Sequence, residues 1–134
     1  MEGKTVVISA PSGAGKTSIV NFLLSRIPSL SFSISACSRT KRLDEINGKN
    51  YYFLDSSTFK SKISKGDFLE WEEVYPDHYY GTLNSELERI WGENKHVVFD
   101  IDVAGGINVK KRFHSNCISI FILPPSVGAL EERL

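Results

Sequence analysis

The stretch Val6-Val7-Ile8-Ser9-Ala10-Pro11-Ser12-Gly13-Ala14-Gly15-Lys16-Thr17 decides the fold. A β-branched run typical of a buried strand turns through small residues into Gly-Lys-Thr, and the apolar periodicity of residues 19–24 then predicts a helix. A strand, a glycine loop and a helix start in this order predict a phosphate-binding loop. Since Ala10 stands where the pattern G-x-x-x-x-G-K-[ST] has its first glycine, an ordinary strand-to-helix turn is the alternative.

The residue types in this loop suit nucleotide phosphates. Gly13 and Gly15 let the backbone turn so that successive N–H groups point at one anion. Lys16 supplies a cation for the outer phosphates, and the Thr17 hydroxyl is a ligand for Mg²⁺. The predicted phosphate contacts are Ser12, Gly13, Ala14, Gly15, Lys16, Thr17 and Ser18.

Size and charge exclude several classes of protein. The chain has 134 residues, the size of a single domain, and its 16 Lys and Arg balance its 16 Asp and Glu. This balance argues against a broad surface for nucleic acid or anionic membrane. The apolar run 118–123 is too short to cross a bilayer, and Cys37 and Cys117 form neither a disulfide framework nor a metal-ligand spacing. We expect a cytoplasmic protein with no nucleic-acid or membrane partner; its oligomeric state stays open.

Strand and helix patterns alternate along the chain. After the loop, strand patterns occur at 31–35, 97–102 and 117–123, and helix patterns at 84–91, around 109–113 and from about 127. This order predicts an α/β fold of the P-loop NTPase type, in which helices flank a parallel sheet and ligands bind at the carboxyl ends of its strands.

Residues 36–82 differ in composition from the rest. They contain all five tyrosines, a turn signal at Asn47-Gly48 and a helix pattern around 57–65 that Gly66 would end. Tyrosine combines an apolar ring with a polar hydroxyl, so the cluster favours the wall of a polar pocket over a dry core. We therefore predict a core made of 1–35 and 83–134, and a small mixed α+β insert of 36–82.

Asp100 and Asp102 follow a buried strand pattern downstream of the loop. Two residues apart on a strand, their side chains would project to the same face. Such carboxylates orient Mg²⁺-bound water or hold a nucleophile. The alternative is that they cap the start of the next helix.

Two further sets of residues are candidates for binding. Arg39 and Arg42, with Glu45 close by, form an anion site or a solvated charge run, and the neighbouring tyrosines favour the anion site. Glu70 lies between apolar residues, where a carboxylate needs donors. The N1–H and N2–H₂ of guanine would supply them, and so would a purely structural partner. The histidines His78, His96 and His114 share no ligand spacing and receive no role.

Taken together, these residues make the chain resemble guanylate kinase from end to end. The matching stretches, in the same order, are Ala10–Thr17, Ser35–Arg42 with Glu45, Gly48–Tyr51, Phe68–Trp71, Tyr79–Thr82, Asp100–Val103 and Ile120–Ser126. The resemblance implies an enzyme of purine nucleotide metabolism that uses Mg²⁺ and transfers the γ-phosphoryl group of ATP to GMP, giving ADP and GDP.

The resemblance also implies roles for single residues. Catalytic positions are Lys16, Arg39 and Asp100, and Thr17 touches the metal. The GMP phosphate is held by Ser35, Arg39, Arg42, Tyr51 and Tyr80, with Glu45 steadying the arginines. The guanine base is read by Glu70, Thr82 and Asp102, and Asp100 lies beside the reaction centre.

The chain departs from the family at several places. Ala10 replaces a glycine, Ala104 stands where glutamine is common, and the segment 75–78 is slightly longer than usual. In the family, the helix starting near Val127 leads into a lid whose arginines close over ATP, so we expect an incomplete chain that keeps a GMP pocket but has little kinase activity. The alternatives are a catalytically silent module that binds GMP or a protein partner, and a kinase for another small acceptor.

Overall fold

The computed structural model describes residues 3–10 and 15–123, which form two compact units. The first unit takes the described residues of Met1–Phe32 and Ile90–Leu134, and the second is Ser33–Arg89. The sequence-based insert of 36–82 is therefore shorter than the second unit at both of its ends.

Strands and helices follow one another along the described chain, with some strands directly consecutive. The strands are β1 (Thr5–Ser9), β2 (Leu30–Phe32), β3 (Ala36–Cys37), β4 (Tyr52–Phe53), β5 (Phe68–Tyr75), β6 (His78–Leu83), β7 (His96–Asp100) and β8 (Cys117–Phe121). The helices are α1 (Lys16–Arg26), α2 (Ser56–Ser64), α3 (Asn84–Gly92) and α4 (Val103–Phe113), and a short 3₁₀ turn covers His114–Asn116.

The first unit is built on a four-stranded parallel sheet in the order β2-β7-β1-β8. Its central strands are almost continuously apolar because both faces of a parallel sheet are covered. Ile8 of β1 and Val98 of β7 pack with Val20 of α1, and each is at most 3% exposed. The α/β prediction, with helices flanking a parallel sheet, is confirmed.

Three strands of this sheet are shorter than their sequence patterns. The second strand covers Leu30–Phe32 rather than 31–35, β7 ends at Asp100 rather than at residue 102, and β8 ends at Phe121 rather than at residue 123. The helix predicted from about residue 127 lies outside the described residues.

The second unit contains a mixed four-stranded sheet in the order β4-β3-β6-β5. The helix predicted around 57–65 is confirmed as α2; Asp55 caps its start by accepting the Thr58 N–H at 2.7 Å. Phe59 of α2 is fully buried and stacks on Phe68 and Tyr79, with ring centroids 4.3 and 5.3 Å apart. These rings form the core of this unit.

The tyrosines do not share one environment, so the prediction of a single polar wall is wrong. Tyr79 is 8% exposed and belongs to the apolar core, whereas Tyr75 is 69% exposed in the β5–β6 hairpin. Tyr51 packs edge-on against Tyr80, with ring centroids 6.0 Å apart. The tyrosine-rich composition therefore indicated a distinct part of the chain, but it did not show which tyrosines are buried in the core.

Candidate functional site

Gly15 of the phosphate loop has the left-handed φ of 85° and precedes the first residue of α1. A residue with a Cβ is strained at this φ, although an added Cβ would meet no atom of the described residues within 4 Å. The left-handed backbone conformation is therefore the reason for glycine at this position. Ser12, Gly13 and Ala14 lie outside the described residues.

Lys16 and Asp100, both predicted from the sequence, meet in the first unit. The Lys16 Nζ lies 2.7 Å from Asp100 Oδ1, and both side chains are about a quarter exposed, at 26% and 21%. Lys16 begins α1 and Asp100 ends β7, so the pair lies at the carboxyl end of the parallel sheet, where this type of fold binds ligands. Thr17 and Ser18 are exposed on the same first turn of α1.

Asp102 corrects the expectation of two carboxylates on one strand face. Because β7 ends at Asp100, Asp102 lies beyond the strand and is the N-cap of α4. Its Oδ1 accepts the N–H of Gly105 at 2.8 Å. The helix-cap alternative therefore holds for Asp102, and Asp100 alone ends the strand.

Arg39 and Glu45 form a two-pronged ion pair in the second unit. Arg39 Nη1 and Nη2 donate to the two carboxylate oxygens of Glu45 at 2.6 and 2.5 Å. Glu45 Oε1 also accepts the backbone N–H of Arg42 at 2.9 Å, and Lys41 Nζ donates to the Glu45 carbonyl at 3.0 Å. The carboxylate and the backbone carbonyl of Glu45 thus together bind all three cationic residues of this short loop.

The same contacts set the charge state of the pair. The hydrogen bond from Arg39, followed by the one from the Arg42 N–H, lowers the pKa of Glu45 from 4.5 to about 2. The bond to Glu45 raises the pKa of Arg39 in turn. Both groups are therefore charged at neutral pH, and their mutual hydrogen bonds are charge-assisted.

Aromatic rings border the Arg39 guanidinium. Its central carbon lies 5.1 Å from the ring centroid of Tyr51 and 5.6 Å from that of Phe53. With Tyr80 against Tyr51, the structure brings together four of the predicted phosphate-site residues: Arg39, Glu45, Tyr51 and Tyr80. The side chain of Arg42 is exposed beside them, and only its backbone takes part in the Glu45 network.

Glu70 and Thr82 are paired across the β5–β6 hairpin. The Thr82 hydroxyl, 1% exposed, donates to Glu70 Oε1 at 2.9 Å. Between the strands, an added Cβ on Gly81 would lie 2.7 Å from the Glu70 carbonyl oxygen, so this position requires glycine. The two predicted base-reading residues of this unit are therefore neighbours.

A buried carboxylate that sequence patterns did not single out lies on α3. Glu86 is 2% exposed and accepts hydrogen bonds from Ile34, Tyr52 and Arg89. Ile34 and Tyr52 are far from it in the chain, whereas Arg89 lies three residues further along the same helix. This spacing is a local signal for an ion pair, but no local pattern shows that Glu86 is buried.

The described residues contain no group of three or more His, Cys, Asp or Glu side chains arranged to hold a metal ion. A Mg²⁺ ion that binds with a nucleotide needs few protein ligands, since phosphates and water supply the rest. The hydroxyl of Thr17 and the carboxylate of Asp100 are hard oxygen donors of the type that this ion prefers. Over residues 3–10 and 15–123, no helix is long and apolar enough to span a membrane.

Comparisons with known proteins agree on one family. The family model described as guanylate kinase matches residues 2–134. The guanylate kinase of Porphyromonas gingivalis is 51% identical over 132 residues, which cover 98% of this chain and 70% of that protein. The guanylate kinase of Bacteroides thetaiotaomicron is 48% identical over 134 residues, which cover all of this chain and 66% of that protein.

A solved structure gives the same result. The crystal structure of guanylate kinase from Anaplasma phagocytophilum has a TM-score of 0.79 and 31% identity, covering 98% of this chain and 65% of that one. The chain thus spans about two thirds of the length of the relatives it matches.

Proposed function

The chain belongs to the guanylate kinase family, and we propose that it serves the transfer of the γ-phosphoryl group of ATP to GMP, forming ADP and GDP. The observation that carries this proposal is the Arg39–Glu45 pair with its aromatic border, in the same unit as the Glu70–Thr82 pair. The arginine pair can bind a phosphate group, and the Glu70 carboxylate can accept hydrogen bonds from the edge of a purine base.

The phosphate of GMP binds at the arginine loop in this proposal. A guanidinium has five N–H donors, and the bonds to Glu45 and the Thr40 carbonyl use three of those of Arg39. The remaining donors, the exposed Arg42 fork and the hydroxyls of Ser35, Tyr51 and Tyr80 supply phosphate contacts. Glu45 keeps the guanidinium in place before the ligand arrives, which lowers the entropy cost of binding.

The guanine base is selected by carboxylate chemistry. Glu70 offers acceptors for the paired N1–H and N2–H₂ donors of guanine, and the Thr82 hydroxyl fixes the carboxylate from behind. Adenine has no such donor pair, so it would not match the acceptors of this carboxylate. Asp102 remains a predicted base contact; its Oδ1 already caps α4, which leaves Oδ2 for that role.

The donor phosphates bind at the N-terminus of α1. Backbone N–H groups of the loop and the Lys16 ammonium hold the phosphates of ATP, and Asp100 keeps the ammonium at the carboxyl end of the sheet until then. Thr17 and Asp100 would hold Mg²⁺, which when bound offsets the phosphate charge. Transfer itself then depends on positioning and electrostatic stabilisation.

Several expectations stay predictions within this proposal. They are a cytoplasmic location, a role in purine nucleotide metabolism, and weak turnover by the 134-residue chain compared with proteins of the relatives' full length. Intact Lys16, Thr17, Arg39 and Arg42 favour an enzyme over the silent binding module.

Calorimetric titration with GMP tests the proposal. We expect micromolar binding by the wild type and a loss of about 100-fold in Arg42→Ala, since charge-assisted phosphate contacts are the strong ones. The substitution leaves the Glu45 network intact because Arg42 contributes only backbone groups to it. Lys49→Ala removes the same charge from the same exposed segment and should bind GMP like the wild type.

Two other results would argue against the proposal. Equal affinity for AMP and GMP would contradict the proposed role of Glu70 in selecting guanine. Tight GMP binding without phosphoryl transfer, in a protein of the relatives' full length, would favour the silent module.

A further inference from the structure

Glu86 is a buried carboxylate with an unusual number of donors. Its Oε1 accepts the Ile34 N–H at 2.7 Å and Arg89 Nη2 at 2.9 Å, while its Oε2 accepts the Tyr52 hydroxyl at 2.8 Å and Arg89 Nε at 3.0 Å. A carboxylate that is 2% exposed persists only with such partners. The cluster of Glu86, Ile34, Tyr52 and Arg89, hereafter the Glu86 hub, lies entirely within the second unit.

The hub is ionic at neutral pH. Burial alone would raise the pKa of Glu86, but the hydrogen bonds from Arg89, Ile34 and Tyr52 together lower it. Arg89 therefore faces a charged acceptor, and the backbone N–H of Ile34 has a charge-assisted bond in place of a strand partner.

The donors of the hub belong to the segments that carry proposed phosphate contacts. Ile34 immediately precedes Ser35, and the backbone N–H of Tyr52 donates to the Ser35 carbonyl at 2.9 Å. The Ile34 N–H donates to Glu86, the Tyr52 N–H donates to the Ser35 carbonyl, and the Tyr52 hydroxyl donates to Glu86, so these three bonds close a ring. This ring ties α3 to the chain just before β3 and to β4 at once.

Tyr52 and its neighbour Tyr51, which lies outside this hydrogen-bonded ring, face opposite ways. The Tyr52 side chain reaches Glu86, whereas the ring of Tyr51 lies against Arg39 and Tyr80. Successive residues of an extended segment alternate between its faces. Glu86 therefore binds one face of the segment 51–52, and Tyr51 projects from the opposite face.

We propose that Glu86 is a positioning residue for the acceptor phosphate, acting through Ser35 and Tyr51 without touching the ligand. The inference rests on the proposed function, because it takes these two residues as phosphate contacts. In this proposal the phosphate contacts are not sufficient by themselves. The backbone positions of Ser35 and Tyr51 also depend on the Glu86 carboxylate, which lies on the opposite side of these segments.

The experiment compares Glu86→Ala, Glu86→Gln and Glu88→Ala in calorimetric titrations with GMP and with ATP. Glu86→Ala leaves the Ile34 N–H and the Tyr52 hydroxyl without their acceptor, so we expect about tenfold weaker GMP binding. Affinity for ATP should not change, because the phosphate loop belongs to the first unit. Glu86→Gln keeps an acceptor for Ile34 and should recover most of the loss, and the exposed Glu88→Ala is the control for removing a carboxylate from α3.

A double-substitution comparison separates positioning from general stability. In a background that carries both Ser35→Ala and Tyr51→Phe, Glu86→Ala should lose most of its effect on GMP affinity, because both residues through which it acts are already removed. Combined with Thr82→Ala, the two losses should multiply. A purely structural Glu86 would lower the melting temperature but leave GMP affinity unchanged at temperatures where every variant is folded, and that result overturns the inference.

Other outcomes are equally decisive. If Glu86→Ala does not fold, Tyr52→Phe removes one bond of the hub and should weaken GMP binding about threefold; wild-type affinity in that variant overturns the inference. Absence of GMP binding in the wild type overturns the proposed function itself, whereas wild-type binding that survives in every hub variant overturns only the role of Glu86.

Discussion

The proposed ATP (donor) and GMP (acceptor) regions of this chain are built in different ways. The donor region, in the first unit, relies on the backbone: a left-handed Gly15, the start of α1 and one ion pair between Lys16 and Asp100. The acceptor region, in the second unit, relies on pairs of side chains. Each candidate ligand group there is held by another residue, as Arg39 is by Glu45 and Glu70 by Thr82.

This difference has a physical origin. Peptide N–H groups in a turn present several donors over a few consecutive residues, which suits the densely charged phosphates of ATP. Recognising one phosphate and one base edge requires side chains of definite length, and long side chains lose much rotamer entropy when they are ordered. The acceptor region limits this cost by holding its side chains in place before ligand binds. ATP affinity should therefore be sensitive to substitutions that change the backbone of the donor region. GMP affinity should be sensitive to loss of the residues that hold the ligand-binding side chains, such as Glu45 and Thr82.

Gly15→Ala should give the largest effect in this contrast. Alanine at a φ of 85° costs about 1–2 kcal/mol, so ATP affinity should fall about tenfold while GMP affinity is retained. Gly92→Ala is the matched control, since an added Cβ there meets nothing within 4 Å and its φ is not positive. Calorimetry with each nucleotide measures both affinities; equal weakening of ATP and GMP binding would show that the two regions are not independent.

Asp102 provides a sharper test because it belongs to the first unit but is a predicted base contact. Asp102→Ala removes the cap of α4 and should cost about 1 kcal/mol of unfolding free energy. Asparagine is an equally good cap, so Asp102→Asn should keep the stability of the wild type. Urea unfolding and GMP titration of both variants separate the two roles: weaker GMP binding by a stable Asp102→Asn indicates base contact, and unchanged binding leaves Asp102 with its structural role alone.

The same contrast explains how much of the molecule could be predicted from sequence. The phosphate loop occupies consecutive residues, so residue type and spacing indicate it directly. The Arg39–Glu45 pair is also local, and an anion site could be proposed from it. The Glu86 hub joins α3 to Ile34 and Tyr52, which are far from it in sequence. Hydrophobic periodicity identifies buried apolar positions of a helix and cannot show that a glutamate is buried.

The error at Asp102 has a related cause. An apolar run shows that a strand is buried but does not show where its pairing ends, and β7 stops two residues earlier than the pattern. Similarly, the β5–β6 register contains an irregularity between Phe68 and Glu70, so the contact of Glu70 with Thr82 could not be derived by counting residues. Residue type predicted the candidates, and only strand ends and register determined which of them meet.

The smallest expected effect concerns the pH dependence of the Arg39–Glu45 pair. The pKa of Glu45 lies near 2 in the folded protein, below its ordinary value of 4.5, mainly because Arg39 donates to it. A lowered folded pKa contributes stability above the unfolded value, and this contribution is lost as pH falls from about 4.5 towards 2. The unfolding free energy of the wild type should therefore exceed that of Glu45→Gln at pH 7, and the difference should shrink across this window.

Urea unfolding at a series of pH values measures this difference, with Glu88→Gln as the control for loss of an exposed carboxylate from the same unit. A gap between wild type and Glu45→Gln that stays constant from pH 7 down to pH 3 would contradict the ion pair as the source of that stability. Because the Arg39 and Glu45 side chains are only 19% and 11% exposed, added salt should reduce the gap at pH 7 only slightly. A small contribution to stability combined with a large contribution to GMP affinity would show that the pair exists to orient Arg39 rather than to hold the fold.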